Sequence, residues 1–133
     1  MEKKVYSWLA ILVSSVIGGP LGGVYMLGEN FKVMGKKDSA RKTFIIGAAS
    51  VIAISIALIL TPENIVEQIP NYLLTAVAAG VLAGLAKKHQ EKGIKDILSS
   101  GGKKQSVWKI AAITVLSTLI MLAFVLAVSA IMP

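Results

Sequence analysis

The chain contains no cysteine. That excludes a disulfide framework, a thiolate metal site and a cysteine nucleophile. Acidic residues are scarce, seven against fourteen Lys and Arg, and there is one histidine. Charged residues fill only 16% of the 133 positions, where a soluble domain carries about 25%. The long apolar runs hold no Asp, Glu or His. Intramembrane catalysis needs a nucleophile with a base, or a metal set, and ion-coupled transport uses membrane-buried carboxylates. HExxH and P-loop patterns are also absent. His89 sits among lysines with no second ligand near it in sequence. These absences point away from an enzyme, a metal site, a bound cofactor and coupled transport.

What the chain has instead is apolar length. Residues 5–27, 44–60, 70–86 and 107–132 form four runs with almost no charge, each close to the roughly 20 residues that cross the hydrocarbon. Lys109 lies near enough to an end of the fourth run to snorkel. Trp8, Tyr25, Tyr72 and Trp108 fall near run ends, as interfacial aromatics do. Asp38 and Ser39 are candidate N-caps for the second helix, and Thr61-Pro62 stops it. Asn71 is a candidate cap for the third. The expected fold is an all-α integral membrane protein, a four-helix transmembrane bundle in one domain, with a kinked or re-entrant first helix. A cleaved signal peptide is the rival for the first run, but no A-x-A-like site follows it.

Charge placement sets the orientation. The connections 28–43 and 87–106 are rich in Lys and Arg, whereas residues 61–68 carry Glu63 and Glu67 and no base. The positive-inside rule puts the two basic connections in the cytoplasm. With four full spans both termini then lie outside. Lys3 and Lys4 do not fit that arrangement. A first run that enters and returns would remove the misfit, turning within Gly18-Gly-Pro-Leu-Gly-Gly23. Irregular backbone at membrane depth needs cover from protein or water. The full span is the leading reading and the re-entrant hairpin the alternative.

In the spanning case Pro20 kinks the helix. Gly18 with Gly22, and Gly19 with Gly23, give the four-residue spacing that lets a neighbouring helix approach. Similar stripes recur at Ala49, Ala53 and Ala57, and at Ala76, Gly80 and Gly84. One tightly packed bundle accounts for all of them, and a homo-oligomer would use them too. The candidate binding or gating residues are Gly18, Gly19, Pro20, Gly22, Gly23, Tyr25 and Asn30, with the plainer roles of packing and interfacial turning beside them.

From Gly18 to Lys42 the chain reads GGPLGGVYMLGENFKVMGKKDSARK. The frame of Gly-Gly-Pro, an aromatic, Asn-Phe, a Gly and a basic stretch resembles a group of short, uncharacterised bacterial membrane proteins. The resemblance implies that the glycine-proline segment and the first basic connection act together. It implies no activity.

Residues 87–106 place Ile94, Ile97 and Leu98 at helical spacing in a charged segment, as in a short amphipathic helix on the inner leaflet. The net charge of +7 fits positive-inside loops and contact with anionic lipid. The sequence gives no support for nucleic acid as a partner, because no aromatics interleave the basic residues. The expected function is that of a small multi-pass protein of the bacterial inner membrane, acting as a homo-oligomer or as a subunit of a membrane complex. The alternative is an oligomeric passive channel or small exporter with the Gly-Gly-Pro segment at its site.

Overall fold

The computed structural model describes residues 3–131. It is mostly helical. A two-residue strand β1 (Lys4–Val5) precedes α1 (Trp8–Gly18) and α2 (Pro20–Val33). There follow α3 (Lys37–Leu60), a single turn α4 (Glu63–Val66) and the long α5 (Asn71–Ser99). A second short strand, β2 (Lys103–Lys104), leads into α6 (Val107–Ile131). Met132, the last residue of the expected fourth run, lies outside the described residues.

The first apolar run is not one helix. It breaks at Gly19, whose backbone sits at φ 85°, ψ 170°, a region open to glycine and costly for side-chain-bearing residues. Pro20 then opens α2 at its first position, where a missing N–H costs nothing and the fixed φ suits a helix. The expected kink is therefore replaced by a stop and a restart. The two helices fold back on each other. Gly22 lies against Ser14, Gly23 against Ser15, and Asn30 against Tyr6. Such contacts between residues eight and twenty-four positions apart require an antiparallel hairpin.

The hairpin carries the N-terminal segment to the end where both basic connections lie. β1 pairs in parallel with β2, Lys4 opposite Lys103 and Val5 opposite Lys104. The turn after α2 reaches the same end, where Met34 packs on Gly93 of α5. The expectation of one full-length first helix, which would put Lys4 at the far end from the basic connections, is thus corrected. A chain that reverses at Gly19 returns to the end of the bundle it left.

Other boundaries shift for local reasons. α3 starts at Lys37, so Asp38 falls in its first turn instead of capping it; there its charge still favours the positive helix end. Thr61 ends α3 as expected, and Pro62 takes the cap position of α4. α5 does not end near Ala86 but runs on through the basic segment to Ser99. The separate amphipathic helix expected there is a continuation of α5, because Gln90 and Ile94 extend the buried face of Ala79, Ala83 and Ala86.

The core gathers around the hairpin. Tyr6, Ile11, Val24, Met26, Leu27, Leu82 and Ala86 form one buried cluster. α3 and α6 are different. Each is long and apolar enough to cross a membrane, at 24 and 25 residues and mean hydropathy 2.6. At 1.5 Å per residue they reach about 36 Å, against about 30 Å of hydrocarbon. Yet they bury almost nothing: Ile45, Ile52 and Ile56 of α3, and Leu116, Leu119 and Leu126 of α6, are all exposed.

Candidate functional site

The candidate residues of the glycine-proline segment come together as the turn of the hairpin, and α6 holds that turn. Helix ends leave carbonyls and N–H groups without partners. Here the Ser117 hydroxyl serves both broken ends. It donates to the Gly18 carbonyl at 2.8 Å and accepts from the Gly22 N–H at 2.9 Å. Ser117 is buried. One turn earlier on α6, Thr114 is hydrogen-bonded to the Ser14 hydroxyl at 2.9 Å and to the Ile110 carbonyl at 2.8 Å.

Close approach explains the remaining glycines. A side chain on Gly18 would lie 2.6 Å from the Thr114 carbonyl oxygen. On Gly22 it would meet the Ser14 hydroxyl at 2.8 Å. On Gly23 it would strike the Ser15 hydroxyl and Leu82. The four-residue spacing does mark close packing here, with hydroxyl-bearing residues filling the space opposite.

Asn30 closes the other end of the hairpin. Its amide oxygen accepts from the Tyr6 N–H and its amide nitrogen donates to the Tyr6 carbonyl, both at 2.7 Å. The side chain thus pairs with Tyr6 as a neighbouring strand would. The same amide nitrogen donates to Gln90 Oε1 at 3.0 Å, and Gln90 Nε2 donates to the Leu27 carbonyl at 2.8 Å. Asn30 and Gln90 are fully buried, where unpaired amides would be costly. The expected role of Asn30, turning the chain at an interface, is replaced by a pin between the start of α1, α2 and α5.

The Tyr6 hydroxyl is buried with no hydrogen-bond partner among the described residues. Burial pushes its pKa up, and the nearby Tyr25 and Glu29 add to that, so it stays neutral. Tyr25 itself does not enter the network. It is exposed on the outer face of α2, tilted against Phe44 at 6.3 Å between ring centres.

Pro20 and Val24 also wall a groove of about 670 Å³. Val51 and Ser55 of α3 face Ala78 and Val81 of α5 across it, with Met121 of α6 beside them. Lys42 is its one charged lining residue. Among the described residues no group of three or more His, Cys, Asp or Glu is placed to hold a metal.

Compared with family models, curated proteins and solved structures, the chain matches none. The resemblance of residues 18–42 therefore rests on those residues alone.

Sequence reasoning gave no role to Ser14, Ser15, Thr114 or Ser117, and it missed Tyr6 and Gln90. Gln90 left a trace: it continues the three- and four-residue spacing of Ala79, Ala83 and Ala86 into charged sequence. Ser117 left none, because its partner is backbone that exists only once the helix has broken.

Proposed function

We propose that this chain is a non-enzymatic, multi-pass protein of the bacterial inner membrane that works by association with neighbouring helices. In this reading α3, the first part of α5, and α6 cross the bilayer. α1 and α2 form a re-entrant hairpin, and the basic connections and N-terminus face the cytoplasm. The observation that carries it is the exposure of the two most apolar helices. A soluble fold buries such helices, whereas lipid requires them outside. The hairpin supports it too. Irregular backbone is tolerated in a bilayer only when other protein satisfies it, and Ser117 and Asn30 do so here.

Association is supported by the stripes that the fold leaves outward. Ala49 and Ala53 on α3, and Ala76, Gly80 and Gly84 on α5, are exposed; nothing lies within 4 Å of where a side chain on Gly80 or Gly84 would begin. Such stripes admit a close neighbour, from a second copy or a larger complex. The idea that one monomeric bundle buries all the stripes is accordingly dropped.

Side-specific labelling of single cysteines tests the topology in a chain with no native cysteine. Glu67→Cys is expected to label from the periplasmic side, and Lys4→Cys and Lys37→Cys only after the membrane is opened. Periplasmic labelling of Lys4→Cys would overturn the re-entrant hairpin. Recovery of the chain in the soluble fraction would overturn the membrane reading. Cross-linking through Gly80→Cys to another chain supports association, whereas ion conductance by the reconstituted protein alone would favour the channel alternative.

A further inference from the structure

The groove beside α3 follows from a mismatch of lengths. α2 has 14 residues and α3 has 24, so α2 covers only the first part of α3. The two helices are tight where they meet. The Phe44 ring packs on Gly28, and Val24 packs on Gly47. Past Val51, α3 has no such partner, and it faces α5 across the open space. The volume of about 670 Å³ is that of a site for a small molecule, typically about 300–1,000 Å³.

The lining carries charge at one end only, with Ser55 and Thr75 among the apolar residues of the other. Ile54, Leu58, Leu74 and Val77 are apolar. Lys42 stands at the other end, on the same side as the basic connections. No carboxylate among the described residues pairs with it. Asp38, one turn away, is exposed and unpaired, and Lys36, Lys37 and Arg41 surround it with positive charge. From Lys42 to Ile54 the helix climbs about 18 Å, close to one leaflet of a core about 30 Å thick. The apolar runs of a second copy hold no Asp or Glu that could meet Lys42. An anion with an apolar tail answers both ends.

We propose that this groove holds one anionic phospholipid of the surrounding membrane, its acyl chain between α3 and α5 and its phosphate at Lys42. The proposal rests on the membrane reading above.

The test uses full-length protein extracted from membranes. A phosphatidylglycerol bearing a photoreactive group in mid-chain is expected to cross-link wild-type protein within residues 50–58 and 74–85. Native mass spectrometry is expected to show one phosphatidylglycerol retained per chain, and a phosphatidylcholine of identical chains retained several-fold less. Lys42→Gln should lower the preference about fivefold, the effect of one lysine at an anionic surface. Ala78→Phe should expel both lipids by filling the groove. Three results would overturn the proposal: cross-links confined to residues 87–106, a lipid preference unchanged in Lys42→Gln, or a second copy of the chain cross-linked into the groove. Should Ala78→Phe not fold, the wild-type cross-link still decides. Failure to recover the protein from membranes at all would count against the membrane reading as well.

Discussion

In the hairpin, Gly18, Gly22 and Gly23 each lie where another part of the chain occupies the space a side chain would take. In α5, Gly80 and Gly84 keep the same four-residue spacing with nothing opposite them. Spacing tells which residues share a face. It does not tell whether that face looks inward. Here the inward face goes with hydrogen bonding: the hairpin glycines include the broken helix ends, whose Gly18 carbonyl and Gly22 N–H are met by Ser117, whereas the α5 backbone satisfies itself.

Exchanging side chains between the two settings tests this most directly. Gly18→Val would drive two methyl groups into the Thr114 backbone, and a loss of about 3 kcal/mol or more is expected from such overpacking. Gly80→Ala should instead leave the isolated chain unchanged or up to about 1 kcal/mol more stable, because alanine is the better helix former. Unfolding midpoints in one detergent compare the pair. Equal effects at the two sites would erase the distinction.

Asn30→Leu comes next. It strands the Tyr6 N–H and carbonyl and one side of Gln90, and each buried group left unpaired costs about 1–3 kcal/mol. Double substitution with Gln90→Leu should cost less than the sum of the single changes, because the two amides share one network. Additive losses would mean that they act separately.

Ser117→Ala removes one hydroxyl and two bonds. A loss of about 1–2 kcal/mol is expected, smaller than for Asn30→Leu because the helix ends keep their other contacts. A substitution at the outward Ser129 should have no measurable effect.

The smallest effect concerns Tyr6. Its folded pKa is raised above the ordinary 10.0, so above pH 10 the unfolded chain releases this proton more readily than the folded one. Stability conferred by the neutral phenol is present below pH 10 and falls as pH rises past it. Tyr6→Phe should flatten that part of the decline, with the difference between the two unfolding curves isolating it from lysine titration.

Much of the fold was legible for one reason: apolar length survives any packing. The run at 44–60 and the described part of the run at 107–132 appear in α3 and α6, because length and apolar composition alone were enough to mark them. The hairpin was legible as an alternative, since the Gly-Gly-Pro stretch and the misplaced Lys3 and Lys4 signalled trouble at the same place. What made it the outcome was not visible locally. Ser117 and Gln90 lie far along the chain, and an ordinary serine or glutamine in a helix carries no mark of its distant partner. Asn30 was singled out but read as turning the chain at the interface, because its partner is a backbone segment 24 residues earlier. The strand bridge at Lys4 and Lys103 was invisible for the same reason, two residues being too few for a periodic signal.

The hairpin's fastenings also impose an order in time. A ribosome adds about 5–20 residues per second. Gly18 and Gly22 are synthesised nearly a hundred residues before Ser117, which joins them, and Lys4 about as long before Lys103. For several seconds the first segment exists with its break unsealed and its β1 strand unpaired. Its final shape is therefore conferred by α6, and truncation before residue 117 should leave the beginning of the chain in the wrong conformation as well.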